Sequence, residues 1–286
     1  MQVISRFLGT SLKSRQKGLS VNKVLFSLPI AGLLLSTAQA APVTNNYGNF
    51  AGPNLTYTAV TEVDNQFPAP TPPTLFGAPS LSGDSLLFDP VNFDVSVISP
   101  PNSSELQDGR LDIAKITANT GITTFAIAEG GAYAVDDGSS STFASETLII
   151  NSLFITSVNG SSINPIVVTP NFSFAHTGAA VTSTSTSSNS ASISFDGNGS
   201  LTNGSWSLTA SFDLSAALAA NGLQGTVTGL QLALDNQLGA QAEDGGSALI
   251  DKKSFLVGPG TPSTPEPATL GLVGLGMMLA TRRRRD

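Results

Sequence analysis

Ser205-Trp206-Ser207-Leu208-Thr209-Ala210-Ser211-Phe212-Asp213-Leu214 decides the fold class. Its apolar residues fall on every second position (Trp206, Leu208, Ala210, Phe212), with serine and threonine between them. Side chains alternate across a strand, so this pattern buries one face of a sheet and wets the other. The alternation stops at Asp213, where Leu214-Ser215-Ala216-Ala217-Leu218-Ala219-Ala220 follows and Asn221-Gly222 closes the run. A cap-type residue before the run and a glycine after it predict one short helix.

Working outward, the same period recurs. Leu55 to Val63 alternates Leu55, Tyr57 and Ala59 with threonines, and reads as a half-buried strand. Leu86 to Phe88, Val91 to Ile98, Leu111 to Thr117, Ile122 to Glu129 and Tyr133 to Val135 are further strands, separated by Asp-Gly, Asn-Thr-Gly and Gly-Gly turn signals. Thr147 to Val158 is a longer run, ended by the tight-turn pair Asn159-Gly160. Ile166 to Thr169, Phe172 to His176, Thr226 to Leu234 and Ala248 to Val257 are also strands, and Asp196-Gly197-Asn198-Gly199 is a turn. The Ser/Thr-rich stretch Thr182 to Ser190 reads either as a loop or as an exposed edge strand leading to Ile193 and Phe195. Ala41 to Pro53 reads as a loop. Five prolines from Pro68 to Pro79 forbid regular structure and predict a rigid crossing between sheets or a surface loop. About 12 strands, one helical turn and no internal repeat predict an all-β chain with a single jelly-roll-like β-sandwich over residues 41–258 and a linker over 259–264.

Charge and composition narrow the function classes. Between Ala41 and Glu266 there are four basic residues against 19 acidic ones, a net charge of −15 that the whole-chain value of −7 conceals. Such a surface repels nucleic acid and anionic lipid. There is no cysteine, so no disulfide staples the domain and stability has to come from its core.

The two ends carry addresses. Met1 to Lys23 holds five basic residues and no acid, Val24 to Leu35 is mostly apolar, and Ala38-Gln39-Ala40 ends the stretch. This is the pattern of a secretory signal peptide over residues 1–40, with a helical apolar core and cleavage between Ala40 and Ala41. At the other end, Pro265-Glu266-Pro267 precedes an apolar run from Ala268 and then Arg282-Arg283-Arg284-Arg285. The 14 residues Ala268 to Thr281 would span about 21 Å as a helix, against a hydrocarbon core of about 30 Å, which makes a poor permanent anchor. The arginine cluster belongs on the cytoplasmic side by the positive-inside rule, which places the body of the protein across the membrane. The two prolines keep the tripeptide extended at the outer interface.

This order of tripeptide, glycine-rich apolar segment and terminal arginines resembles the PEP-CTERM sorting signal of Gram-negative bacteria. The resemblance implies that residues 265–286 are recognised by exosortase, a membrane-embedded cysteine protease, with Pro265, Glu266 and Pro267 as a substrate's recognition residues. A weaker resemblance, to PEP-CTERM proteins of unassigned function, lies in Gly83 to Phe88, Leu106 to Leu111, Leu234 to Leu238 and Ala248 to Lys253. It brings no ligand and no active residue.

Residue chemistry offers little else. The single histidine, His176, lies in a predicted strand without a Gly-x-Ser-x-Gly turn, and reads as exposed or hydrogen-bonded. Zinc lacks soft ligands. No glycine cluster precedes a helix with a lysine placed to hold phosphate. Asp136-Asp137, with Glu129 upstream, and Asp235-Asn236, near Glu243-Asp244, read as loop acids that could ligate calcium, and no other cofactor is expected. Trp206 reads as core; with Tyr47, Tyr57 and Tyr133 it is also among the rings that could stack on a sugar. A glycosidase would need only two acids facing each other in a cleft. The leading expectation is an exported non-enzymatic surface or matrix protein: an inner-membrane-anchored precursor, then a cell-surface or extracellular product. Its partners would be signal peptidase, the secretion machinery, exosortase, the inner membrane transiently, and exopolysaccharide by the family resemblance. A calcium-assisted lectin-like module is the alternative, and a glycosidase or lyase the third reading.

Overall fold

The computed structural model describes residues 43–64, 74–98, 103–136, 142–197, 201–243 and 245–260. Within them the chain forms 15 strands and one helix, arranged as two antiparallel sheets in a sandwich. The first sheet takes β1 (Val43–Ala51), β2 (Leu55–Asp64), β6 (Ser103–Ile122), β14 (Val227–Ala242), β8 (Phe143–Val158), β12 (Ser190–Asp196) and β11 (Val181–Thr186) in that spatial order, and β9 (Ser161–Val167) also pairs with β8. The second takes β10 (Asn171–His176), β13 (Thr202–Asp213), β7 (Thr124–Asp136), β15 (Ser247–Pro259), β4 (Ser85–Phe88) and β3 (Ser80–Ser82), with β5 (Asp94–Ile98) also pairing with β15. The chain changes sheets at almost every connection from β5 onward, which gives the two layers a common core.

The strand from Ser205 keeps its apolar face inward, but the other face is not wetted throughout, for Ser205 and Ser207 are buried as well. In β13, Trp206, Leu208, Ala210 and Phe212 are buried, and the strand runs beside β7 in unbroken register from Thr202 opposite Val135 to Asp213 opposite Thr124. Helix α1 (Leu214–Ala220) begins where Asp213 accepts a 2.8 Å hydrogen bond from the Ala216 amide, and its buried residues are Leu214 and Leu218. Asn159 and Gly160 both have positive φ and join β8 to β9 in a tight hairpin. The Ser/Thr-rich stretch is the exposed edge strand β11, with β12 carrying Ile193 and Phe195 into the core.

Several expectations are corrected. Val43 to Ala51, within the stretch read as a loop, is strand β1: it pairs with β2, as an edge strand too polar to show an apolar period. In β2 the alternation changes phase at Ala59, which has φ 51° in a bulge, so Val60, Glu62 and Asp64 face inward after it. Asp108-Gly109 and Gly130-Gly131 are not turns but mid-strand residues of β6 and β7. A Cβ on Gly109 would come within 2.9 Å of the Leu75 side chain, and one on Gly131 would lie 1.8 Å from the Asp251 carbonyl oxygen. These glycines serve close approach, which a turn-based reading of sequence confuses with chain reversal. Of the proline-rich segment, residues 74–79 are described. Leu75 and Phe76 there are fully buried between the sheets, where Phe76 meets Phe88, Phe93 and Phe255 edge to face at 6.1, 5.3 and 5.0 Å.

Candidate functional site

The chemistry inside the sandwich centres on four side chains placed by four strands. Glu129 (β7) and Lys252 (β15) come from one sheet, Glu146 (β8) and Asn236 (β14) from the other, and all four are 0–1 % exposed. Lys252 faces the interior in phase with Ala248 and Ile250, and β15 then carries a bulge at Lys253, between the residues paired with Gly131 and Gly130. The bulge lets Ile250 and Lys252 face inward before it and Phe255 and Val257 after it. The Lys252 amide donates to the Phe93 carbonyl at 2.9 Å, which fixes the backbone at that point.

Lys252 Nζ lies 2.6 Å from Glu129 Oε2 and 3.4 Å from Glu146 Oε1, and it donates to Asn236 Oδ1. Asn236 Nδ2 donates to the same Glu129 Oε2 at 2.5 Å. Aromatic rings close the surroundings: the centroids of Phe93, Phe255, Phe76 and Trp206 are 4.8, 5.6, 5.9 and 5.9 Å from Nζ. Burial, and then the charge of Glu129, hold the Glu146 carboxyl well above the ordinary carboxylate range. The Glu129 Oε1 and Glu146 Oε2 oxygens are buried and meet no hydrogen-bond partner. Two carboxyls therefore do meet in this protein, but in a sealed core and not in a cleft open to a polysaccharide.

A second buried carboxyl, Glu62, ties the proline-rich segment to β2. Its Oε1 accepts from the amides of Leu75 at 2.5 Å and Phe76 at 3.2 Å, while Tyr47 Oη donates to Oε2. Burial raises the Glu62 carboxyl and the Tyr47 hydroxyl alike. Asp84 does similar work between the sheets: its Oδ1 accepts from the amides of Asn54 and Leu55 at 2.6 and 2.8 Å, and Tyr57 Oη donates to its carbonyl at 2.5 Å.

The residues singled out from sequence are distributed as follows. Asp235 and Asn236 are mid-strand in β14, contrary to the loop reading, and adjacent strand residues face opposite sides. Asn236 points into the core, whereas Asp235 accepts from Asn151 Nδ2 at 2.6 Å on the outer face and helps raise the half-buried Asp108 carboxyl, which burial raises more. Asp136 is the exposed last residue of β7, and Asp137 lies outside the described residues. Among the described residues no group of three or more His, Cys, Asp or Glu side chains could hold a metal ion. His176 is exposed, 3.3 Å from Thr182 Oγ1. Tyr57, Tyr133 and Trp206 are buried, and Tyr47 is half-buried against Glu62, so these rings form no sugar platform. The four residues of the sealed centre were not read as a group, although each stands in the inward phase of an apolar alternation: Leu232-x-Leu234-x-Asn236-x-Leu238 is the plainest case. A polar residue in that phase is the signal.

Ala38, Ala40, Ala41, Pro265, Glu266, Pro267 and Arg282 to Arg285 lie outside the described residues, as do the two expected terminal helices. Among the described residues no helix is long and apolar enough to cross a membrane. Comparison with curated proteins gives no match. A family model for the PEP-CTERM protein-sorting motif matches residues 263–285, beginning four residues after β15 ends at Pro259. That element is a sorting signal and has no catalytic part of its own, so the tripeptide, apolar run and arginines are one address. The chain thus carries a PEP-CTERM sorting motif and is an exported, exosortase-processed surface protein.

Proposed function

We propose that the protein is a non-enzymatic component of the cell surface or extracellular matrix, delivered by way of an inner-membrane-anchored precursor and associated with exopolysaccharide. The carrying observation is the sorting motif at residues 263–285. The signal-peptide pattern over residues 1–40 and the −15 body support export, and the absence of a cysteine suits a domain held together by its core alone. Signal peptidase would cut between Ala40 and Ala41, and exosortase would recognise Pro265, Glu266 and Pro267, with Arg282 to Arg285 retained on the cytoplasmic side. The jelly-roll reading of the body is supported by the repeated change of sheets along the chain. Its outer surface then presents acidic and hydroxyl-bearing strands to the matrix.

The experiment is the intact mass of the protein recovered from membrane and from medium, in cells with and without exosortase. A product running from Ala41 to near Pro265 outside the cell, lost without the enzyme, is the expected result. Replacing Pro265, Glu266 and Pro267 by alanine should strand the uncleaved chain in the membrane. Unchanged processing of that variant would overturn the proposal.

A further inference from the structure

We propose that Lys252 and Asn236 react with each other in the folded protein, forming an amide between Lys252 Nζ and Asn236 Cγ that joins the two sheets covalently, with Glu129 transferring the protons. An amine and a carboxamide do not react in water for three reasons. The amine is protonated, the amide nitrogen is a poor leaving group, and the encounter is bimolecular. The sealed centre removes each obstacle.

Lys252 Nζ contacts the carboxamide of Asn236 directly, through Oδ1, so the reaction is unimolecular and the reacting groups are held by two rigid strands. Its surroundings are aromatic rings and the other three polar groups, so water is excluded from the attacking nitrogen, and Glu129 Oε2 is in place to accept its proton. The decisive feature is one atom. Glu129 Oε2 lies 2.6 Å from the attacking nitrogen and 2.5 Å from the nitrogen that must leave. A carboxyl in that place can take a proton from one and give it to the other without moving. Glu146, whose carboxyl burial and the charge of Glu129 hold well above the ordinary range, sits beside the pair, its Oε1 3.4 Å from Lys252 Nζ.

The step balances within the chain. Lys252 ammonium passes a proton to Glu129, and the free Nζ lone pair attacks Asn236 Cγ to give a tetrahedral centre. Glu129 returns a proton to Nδ2, the Cγ–Nδ2 bond breaks, and ammonia leaves. The second proton lost from Nζ is taken up by Glu129 or by the departing ammonia. One Nζ–Cγ bond forms, one Cγ–Nδ2 bond breaks, nothing is oxidised, and no co-reactant is needed. The product replaces an ammonium and a primary amide with one neutral secondary amide, which removes a buried charge that is otherwise costly to keep. The crosslink closes the 16-residue separation between β14 and β15, the strands that connect one sheet to the other.

The test is the intact mass of the folded wild-type protein, with its termini read from the end peptides, followed by fragmentation of a digest. A mass short by one ammonia, with a branched peptide joining the segments around Asn236 and Lys252, is the expected result. A folded protein of full sequence mass would overturn the proposal. So would ammonia loss in linear peptides only, which marks a cyclic imide at Asn236, or a loss of water, which marks a lysine–glutamate bond. Lys252→Met and Asn236→Ala should both restore full mass. Glu129→Gln keeps size and hydrogen bonding but cannot relay a proton: with a native near-ultraviolet dichroism spectrum it should show full mass, and a complete crosslink in that variant would overturn the role given to Glu129. Chain unfolded in urea immediately after synthesis should have full mass and lose ammonia only on refolding, a time course that a purely noncovalent centre would not show.

Discussion

Removing the Phe76 ring tests whether the segment after the prolines is part of the core or merely passes over it. Phe76 is fully buried, its ring stands edge to face with Phe88, Phe93 and Phe255, and its amide is held by Glu62. Phe76→Ala deletes the ring and leaves a cavity, which costs about 3–5 kcal/mol at well-packed sites. Three aromatic contacts, each worth about 0.5–1.5 kcal/mol beyond burial, place this variant toward the upper part of that range. At about 2–4 °C per kcal/mol for a domain of this size, the melting temperature should fall by about 6–20 °C. Urea unfolding monitored by Trp206 fluorescence gives the free energy, with Val167→Ala, at a 66 % exposed position, as the control within about 0.5 kcal/mol. A loss below about 1 kcal/mol for Phe76→Ala would refute the argument and return the segment to the surface.

Gly131→Ala should destabilise by about 3 kcal/mol or more, since the obstacle 1.8 Å from the new Cβ is the Asp251 backbone and cannot rotate away; native-like melting would contradict this. Asp213→Ala removes the helix cap and should cost about 1 kcal/mol by urea denaturation, and Asp213→Asn should recover most of it. Glu62, Asp108 and Glu146 are each held above the ordinary carboxylate value, chiefly by burial. The folded state therefore binds more protons than the unfolded one, and this contribution is complete below the unfolded value of about 4.3 and lost as pH rises through the folded values. Melting should accordingly be higher at about pH 5 than at about pH 8, with a shallower slope in Glu62→Gln; a rise toward alkaline pH would refute it.

The strands legible from sequence were those whose period belongs to one sheet face. Trp206 to Phe212 is such a run, and so is the cap at Asp213. The misreadings share a cause: a residue type that has one meaning locally and another in three dimensions. Gly109 and Gly131 look like turns because glycine usually frees the backbone, whereas here a neighbour occupies the space a Cβ would need. Ala59 and Lys253 look like ordinary strand residues, yet bulges at these positions change which side chains face inward. The sealed centre draws on four strands far apart in sequence, so its residues, though each in the inward phase of its own strand, were not legible as a group, and Asn236 reads from sequence as part of a loop. The sorting motif at residues 263–285 was legible in the sequence, because such a signal is carried by the local order of residues and needs no tertiary partner.

Strand β15 lies in the interior of its sheet, bonded to β7 on one side and to β4 and β5 on the other, and it is the last strand before the sorting motif. For a chain threaded across a membrane from its N-terminus, the interior strand is thus the last to emerge. Until it does, β3, β4 and β5 have no route to the rest of their sheet, and the layer stands open like a gate awaiting its middle bar. Pro259 precedes Pro265 by six residues, which reach at most about 20 Å when stretched. On the proposed route, completion of the fold and arrival at the protease would follow closely on one another in time, so that a chain stalled before its final strand would reach neither.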